Sequence, residues 1–458
     1  MRIRRALMLV VVMVAGLVPA TASASTTAGS YEGSLPNGTT WIGEVPQEWN
    51  GTVLLFSHGY LPTFIGVPNL PAHSPGPEVA EALLDRGYAL VGSSYAAAGW
   101  ALETAPQDQL DSLAAFVGEV GEAPDRVLAY GFSMGGLVTT KIVEIGQGVI
   151  DGALPMCGIV GGGLALNNYQ LDGAHAIDVL LAPDTDIKLA DFANFDEAFA
   201  STGQLLEALG GAQVSPEGRA RTALAAALFQ VSTRVEGEEP PQHNDLETIQ
   251  ANLYENLSGI VPFVVPARVD IETATGGNAS WNAGVDYRRL LRQASLHREV
   301  AALYRDAGLD LSADLDLLTQ TADVSGDVDA INALFDTSVP TGRLGIPVLS
   351  MHTVADSLVP VQHEDGYEEL VLRAGHGRYL RQAFVDRVGH CTFTTAEIVA
   401  AVLALDTRVD TGRWSGTTTP AALQAAAEAT GLGPAAFVHE PARNELIGDR
   451  TSAVTVGR

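Results

Sequence analysis

Short apolar runs alternate with amphipathic stretches along residues 52 to 157 of the chain. Residues 52–57 (TVLLFS) form a nearly continuous apolar run, whereas residues 107–120 space their apolar positions three or four apart. The first pattern is typical of a strand buried on both faces, and the second is typical of a helix that packs on one face. The same criteria predict strands at 88–93, 126–132 and 152–157, and helices at 77–86 and 134–145. Strands separated by helices predict an α/β fold with a mostly parallel, doubly wound sheet and helices on both faces.

This alternation stops after about residue 160, where the chain becomes rich in Ala and Leu. Helical stretches such as 220–231 and 287–307 are separated by loops rich in Gly, Pro and acidic residues. We therefore predict a mostly helical cap that is inserted between strands of one core. Trp281, Tyr287 and Arg288 in this segment are candidates for a substrate pocket, and packing is an equally good interpretation.

The alternation resumes near residue 343, with predicted strands at 346–352 and 381–387 and predicted helices at 364–374 and 394–405. Residues 406–458 are rich in Ala, Thr and Gly, and no role is assigned to them. The predicted organisation is a core of residues 25–160 and 343–405, a cap of residues 161–342 and a C-terminal extension of residues 406–458.

The first 24 residues have the pattern of a secretory signal peptide. Three arginines precede an apolar run over residues 6–18, and Ala22-Ser23-Ala24 gives a small-residue cleavage site. The run is shorter than the roughly 20 residues that a transmembrane helix needs, so no stable membrane insertion is expected. The sequence therefore predicts a secreted protein.

The chain of 458 residues is 47% hydrophobic, which excludes intrinsic disorder. It carries 54 acidic and 26 basic side chains, for a formal net charge of -28. Because phosphate binding needs clustered Lys and Arg, this balance argues against a nucleic-acid partner. The excess of acid is interpreted as a solvated surface.

A candidate nucleophile, Ser133, lies in the motif Gly131-Phe132-Ser133-Met134-Gly135. The motif follows a predicted strand and opens a predicted helix, where a tight turn with small flanking residues would hold the serine hydroxyl out at the edge of the sheet. The N-terminus of that helix offers free N–H groups to a developing oxyanion. The alternative is an ordinary tight turn in which Ser133 caps the helix.

A serine nucleophile needs a base that is oriented by an acid. Asp356 follows the strand 346–352, and His390 follows the strand 381–387, so both lie at predicted carboxyl ends of strands. The order Ser133, Asp356, His390 is the order expected of a triad in this architecture. Asp386 is also near His390, but it lies inside the predicted strand and is a poorer candidate for the acid.

With these motifs the chain resembles the α/β-hydrolase superfamily, in particular secreted serine esterases and lipases with a large cap. The resemblance covers about residues 52–160 and 343–405. It implies the α/β-hydrolase fold and catalysis by Ser133, Asp356 and His390. It also implies an oxyanion hole formed by the backbone N–H groups of Tyr60, which follows His58-Gly59, and Met134.

The only cysteines are Cys157 and Cys391. Cys157 ends a predicted strand beside the nucleophile helix, and Cys391 adjoins His390. If His390 reaches back toward Ser133, the two sulfurs approach each other, and export favours their oxidation. We therefore predict a disulfide, with two separate buried thiols as the alternative. Two cysteines are too few for a four-thiolate zinc site, and the ten histidines show no metal-binding spacing, so no metal and no cofactor are expected.

Taken together, the sequence predicts a secreted serine hydrolase that cleaves carboxylic esters of a small molecule or a polymer through an acyl-enzyme. Two alternatives stay open: an exported serine exopeptidase on the same fold, and a non-catalytic binding protein. The natural substrate, its acyl preference and the oligomeric state do not follow from the sequence.

Overall fold

A computed structural model describes residues 27–441 and 445–456 of the chain. The predicted signal peptide lies outside these residues. The described residues form one nine-stranded sheet in the order β1-β2-β4-β3-β5-β6-β7-β8-β9. Its strands are β1 (Gly29–Ser34), β2 (Thr40–Val45), β3 (Thr52–Ser57), β4 (Ala89–Ser93), β5 (Arg126–Phe132), β6 (Gly152–Met156), β7 (Val348–Ala355), β8 (Leu380–Val388) and β9 (Phe437–Val438).

The helices that accompany the sheet have the following bounds. Before the insertion they are α1 (Pro77–Leu84), α2 (Ala105–Val120) and α3 (Met134–Ile145). Between β6 and β7 they are α4 (Gly163–Leu181), α5 (Phe195–Ala212), α6 (Pro216–Phe229), α7 (Leu246–Thr275), α8 (Tyr287–Gln293), α9 (His297–Asp306), α10 (Leu311–Thr321) and α11 (Val328–Ser338). After β7 they are α12 (Gln362–Arg373), α13 (Thr395–Thr411), α14 (Pro420–Thr430) and α15 (Thr451–Val456).

The six central strands, β4 to β8 in the order of the sheet, are parallel, and antiparallel strands close both edges. Helices cover both faces of the sheet. Alternate residues of each buried strand point to opposite sides, so they pack against different helices. In β3, Val53 and Leu55 belong to the same cluster as residues of α2 and α3, whereas Leu54 and Phe56 belong to the same cluster as residues of α1 and α13. The predicted doubly wound α/β fold is confirmed.

Residues 163–338 contain helices and loops but no strand. The prediction of one helix over residues 287–307 is wrong, because the chain leaves the helical conformation between α8 and α9. Ala294 has an extended ψ of 141°, and the turn that follows buries Ala294 and Leu296 in the core. The apolar spacing is helical on both sides of the break, and no Gly or Pro marks it, so the pattern did not reveal it. The division of the chain into a core and a cap stays a prediction.

The C-terminal residues are part of the fold rather than a loose extension. Helix α13 continues to Thr411, six residues beyond its predicted end, and β9 pairs antiparallel with β8. The Glu397 carboxylate accepts the N–H of Ala436 at 2.8 Å and fixes the chain that leads into β9. A two-residue strand is too short to show a period of two, which explains why the sequence did not reveal it. No described helix is both long enough and apolar enough to span a bilayer.

Candidate active site

Ser133 lies at the sharp turn between β5 and α3, as the motif predicted. Its backbone has φ 57° and ψ −123°, a combination that costs energy in a residue other than glycine and that is typical of functional sites. Two of its glycine neighbours make the turn possible. A Cβ on Gly131 would lie 2.4 Å from the Gly135 oxygen, and one on Gly135 would lie 2.0 Å from the Ser57 oxygen. Any side chain there would therefore push the nucleophile turn off the sheet.

The candidate acid and the candidate base are brought together by the ends of two neighbouring strands. Asp356 follows β7 and His390 follows β8, and Asp356 Oδ2 lies 2.6 Å from His390 Nδ1. The other oxygen of Asp356 accepts the N–H groups of Leu358 and Val359, each at 2.9 Å. Burial would raise the pKa of Asp356, but the neighbouring His390 and His352 outweigh it and hold this pKa well below its ordinary value. The carboxylate is therefore an ionised acceptor that orients His390.

Asp386, the other carboxylate near His390 in the sequence, makes no hydrogen bond or ion pair with it among the described residues. Its side chain is 47% exposed and forms an ion pair with Arg234 of the insertion. The carboxylate that is hydrogen-bonded to His390 is therefore that of Asp356.

His390 Nε2 is buried and has no hydrogen-bond partner among the described residues, and His390 and Ser133 line the same cavity. The cavity has a volume of about 400 Å³. Residues of α4 and α7, including Leu166 and Phe263, line it opposite the sheet. The helical insertion therefore covers the strand ends that carry Ser133 and His390.

The loop after β3 contains His58, Gly59 and Tyr60 and passes close to Ser133. A Cβ on Gly59 would lie 3.4 Å from Ser133 Cβ, and Met134 is the first residue of α3, where a helix leaves its N–H groups without helical partners. The loop is also tied to the insertion. Asp270 of α7 accepts the Tyr60 hydroxyl and, at 3.0 Å, the N–H of Thr63. The assignment of the Tyr60 and Met134 N–H groups to an oxyanion hole stays a prediction.

Cys157 and Cys391 form a disulfide beside the base, with their Cα atoms 5.3 Å apart. Cys157 directly follows β6 and Cys391 directly follows His390, so the bridge ties the loop of the base to the strand next to the nucleophile strand. Among the described residues, Cys157, His390 and Cys391 are the one group with closely spaced potential metal ligands. Because the two sulfurs are bonded to each other, they are not available as thiolates.

We expect replacement of both cysteines by serine to lower the free energy of unfolding by about 4 kcal/mol, since the bridge closes a loop of 234 residues. Denaturant unfolding of the double variant and of the oxidised wild type measures this difference. We also expect a lower kcat, because the loop that carries His390 loses its tether. An unreduced wild-type protein in which iodoacetamide alkylates both cysteines would contradict the bridge.

His352 is a second histidine beside the carboxylate of Asp356. It lies in β7 with no exposed surface, and its Nε2 donates to the Val359 oxygen at 2.9 Å and lies 3.7 Å from Asp356 Oδ2. Its Nδ1 is 3.3 Å from Glu364 Oε1. Burial would lower the pKa of His352, but Asp356 and Glu364 raise it to about 10. His352 is therefore a buried cation between two buried carboxylates. The i, i+4 spacing from Asp356 was the one signal in the sequence.

The charge of His352 gives a pH dependence with a defined sign. The folded pKa of about 10 lies above the ordinary value of 6.5, so the stabilisation is complete below pH 6.5 and is lost as the pH rises toward 10. We expect His352→Leu to lose about 3 to 5 kcal/mol of stability near pH 7, because two buried carboxylates are left without their cation. Unfolding curves from pH 6 to pH 10 test this, with Glu364→Gln added to His352→Leu as the partial rescue. Equal losses at both pH limits would contradict a charged His352.

The aromatic and basic candidates in the insertion serve packing. The Tyr287 hydroxyl donates to Asp172 at 3.0 Å, and Arg288 forms an ion pair with Asp316. Neither these two residues nor Trp281 lines the cavity that contains Ser133.

Comparisons with known proteins give the relationship of the chain. No family model matches it. It is 30% identical over 431 residues to an o-phthalyl amidase of Xanthobacter agilis, covering 88% of this chain and 91% of that protein. Among solved structures, an esterase of Aspergillus oryzae has 14% identity and a TM-score of 0.38, over 82% of this chain and 78% of that one. A proline iminopeptidase of Mycobacterium smegmatis has 13% identity and a TM-score of 0.36, over 84% of this chain and 100% of that one. The chain therefore belongs to the same family as the o-phthalyl amidase.

Proposed function

We propose that this protein is a serine hydrolase that cleaves carboxylic amide or ester bonds through Ser133, His390 and Asp356. The observation that carries the proposal is the 2.6 Å contact between Asp356 and His390, whose free Nε2 belongs to the same cavity as Ser133. The sequence by itself favoured an ester. The 30% identity to an amidase extends the proposal to amide bonds. Ser133, His390 and Asp356 serve amide and ester hydrolysis alike.

In the proposed mechanism, Ser133 Oγ attacks the acyl carbon while His390 Nε2 takes its proton. Asp356 accepts the Nδ1–H of His390 and stabilises the imidazolium that forms. The N–H groups of Tyr60 and Met134 hold the oxyanion, a contribution of about 3 kcal/mol per donor in other hydrolases. His390 then protonates the leaving amine or alcohol, which leaves an acyl group on Ser133. Water attacks this acyl-enzyme with His390 as the base and releases the acid.

The cavity supports a substrate with an aromatic acyl group. Its walls carry the rings of Phe56, Tyr60, Trp100, Phe132 and Phe263. Apolar walls with a few polar groups are the usual form of a small-molecule site. The o-phthalyl group in the name of the relative is a benzene ring with two carboxyl-derived groups on adjacent ring carbons, one of which is the acyl group. We propose a benzoyl or phthalyl type of acyl group for this protein too.

An exopeptidase would need an acidic side chain to hold the substrate amine. Among the described residues that line the cavity, none is Asp or Glu. The nearby Asp270 already accepts hydrogen bonds from Tyr60 and Thr63. These observations favour an acyl hydrolase over an aminopeptidase.

Labelling with a fluorophosphonate tests the proposal. We expect the wild type to be labelled on the peptide that contains Ser133, and Ser133→Ala to remain unlabelled. The wild type should then hydrolyse benzoyl p-nitroanilide or p-nitrophenyl benzoate faster than aminoacyl p-nitroanilides. Absence of labelling would favour a binding protein, and faster turnover of aminoacyl anilides would favour an exopeptidase.

We also propose that the protein is exported. The signal-peptide pattern of residues 1–24 supports this, and so does the Cys157–Cys391 disulfide, since such bridges persist in oxidising compartments. Recovery of the full-length chain from the cytoplasm alone, with its N-terminus intact, would contradict export.

A further inference from the structure

The cavity that contains Ser133 is lined by apolar side chains, uncharged polar side chains and two histidines, His58 and His390. Among the described residues that line it, none is Asp, Glu, Lys or Arg. Away from the reacting atoms the polar side chains are few. The Tyr60 hydroxyl is bonded to Asp270, and the Ser74 hydroxyl donates to the Gly76 oxygen at 2.8 Å. Two side chains keep unpartnered polar atoms: no described residue makes a hydrogen bond with the Gln170 side chain, and the buried His58 Nε2 has no partner. Of these two residues, Gln170 belongs to the helical insertion.

Gln170 lies on α4 with 7% of its surface exposed, and it lines the cavity on the side of the insertion. Its amide oxygen and nitrogen make no hydrogen bond within the described part of the chain, and neither is closed off from the cavity. A charged ligand group can therefore complete a hydrogen bond with the amide, which is worth about 1.5 to 3 kcal/mol.

A buried cation, Arg268, shares a second cavity with Gln170. Gln170, Val264 and Arg268 line one small internal cavity, and Gln170 and Val264 also line the cavity of Ser133. Arg268, on α7, is 3% exposed. Its guanidinium donates to the Asn167 oxygen at 3.1 Å and to the Ser280 hydroxyl, and its Nε has no partner among the described residues.

The charge of Arg268 is not cancelled by a carboxylate in contact with it. Glu272, one turn further along α7, is the acidic group that acts on it electrostatically. The Glu272 oxygens accept the N–H groups of Asp191 and Phe192 at 2.7 and 2.8 Å, and no ion pair joins Glu272 to Arg268 within the described part of the chain. A positive charge in a medium of low dielectric constant therefore lines the same small cavity as Gln170.

We propose that Gln170 is a specificity-determining residue, which donates its amide N–H to a carboxylate oxygen on the acyl group of the substrate. Arg268 is a positioning residue that does not touch the substrate. Its charge favours the orientation of Gln170 with the amide nitrogen toward the cavity, and it offsets part of the desolvation cost of the bound carboxylate. The inference rests on the proposed function, and it selects aromatic acids with a free carboxylate beside the scissile carbonyl over plain benzoyl groups.

A pair of substrates with one leaving group tests this subsite. These are 2-carboxybenzoyl p-nitroanilide and benzoyl p-nitroanilide, and the readout is the ratio of their kcat/KM values. We expect the wild type to prefer the carboxylated compound by about tenfold or more. Gln170→Leu should lower this ratio by about 10- to 100-fold, the range for a hydrogen bond to a charged group, with the change mainly in KM. Gln170→Glu should lower the ratio further, because two carboxylates repel each other.

Two further variants separate this role from a structural one. Leu166→Ala, one turn before Gln170 on the same wall, should affect both compounds alike and leave the ratio as it is. Arg268→Gln should lower the ratio, and Arg268→Lys should preserve most of it. If Arg268→Gln does not fold, Gln170→Leu and Gln170→Glu are sufficient to test the subsite.

The outcomes distinguish the two proposals. A wild type that hydrolyses both compounds equally, or a Gln170→Leu variant with an unchanged ratio, would overturn the subsite and leave the serine hydrolase standing. A wild type that hydrolyses neither anilide nor the corresponding p-nitrophenyl esters would overturn both.

Discussion

Ser133→Ala is expected to lower kcat by about six orders of magnitude, since the acyl-enzyme has no other oxygen on which to form. The backbone of Ser133 has a φ of 57°. Its N–H donates to the Met156 oxygen at 3.0 Å, which helps to hold this conformation. Alanine keeps the Cβ and therefore the same backbone strain. The measurement is steady-state turnover of p-nitrophenyl benzoate, together with the thermal midpoint of unfolding.

Ser133→Gly is the matched control for this variant. It also removes the hydroxyl, but it relieves the strain of a positive φ, so it should be as inactive and somewhat more stable than Ser133→Ala. Retention of a tenth of the wild-type rate by either variant, with contamination excluded, would mean that Ser133 is not the nucleophile.

Asp356→Asn is expected to lower kcat by about four orders of magnitude, as in other triads. The Asn oxygen can still accept the N–H groups of Leu358 and Val359, which now hold Oδ1 at 2.9 Å. Its amide nitrogen then faces His390 Nδ1 and donates to it. This places the imidazole proton on Nε2, where the nitrogen can no longer act as a base toward Ser133. The measurement is kcat between pH 6 and pH 9.

Asp386→Asn is the control, because Asp386 lies four residues before His390 but pairs with Arg234 at the surface. Exposed ion pairs contribute about 0 to 1 kcal/mol, so this variant should keep nearly full activity. A large loss in Asp386→Asn with a small loss in Asp356→Asn would exchange the roles of the two carboxylates.

Local patterns were sufficient for the order of the chain. The apolar runs ending at Ser57, Phe132 and Ala355 are strands because continuous apolar residues can be buried only between two layers. The nucleophile turn was predictable because its motif is one short segment, in which a Cβ on Gly131 would lie only 2.4 Å from the Gly135 oxygen. Boundaries without such punctuation were less certain, and the break between α8 and α9 was missed because both sides keep helical spacing.

The sequence could not show which side chains lie around Ser133, Asp356 and His390. His352 and Asp356 are four residues apart, but the cation also needs Glu364, which the fold brings from α12. Gln170 and Arg268 are 98 residues apart, and nothing in α4 or α7 alone distinguishes a residue that faces the cavity from one that faces the core. Their relation exists only because the fold brings α4 and α7 to the walls of the same cavities.

The sequence by itself determined the α/β sheet, the order of the candidate nucleophile, acid and base, and the candidate pair of cysteines. Each of these depends on neighbouring residues or on the rule that parallel strands end at one edge. The tertiary structure alone decided which carboxylate meets His390, what charge surrounds it, how α4 and α7 form the cavity wall, and where β9 joins the sheet. These features depend on contacts between residues far apart in the chain, whose energies come from burial and from charge at distances that a linear pattern does not contain.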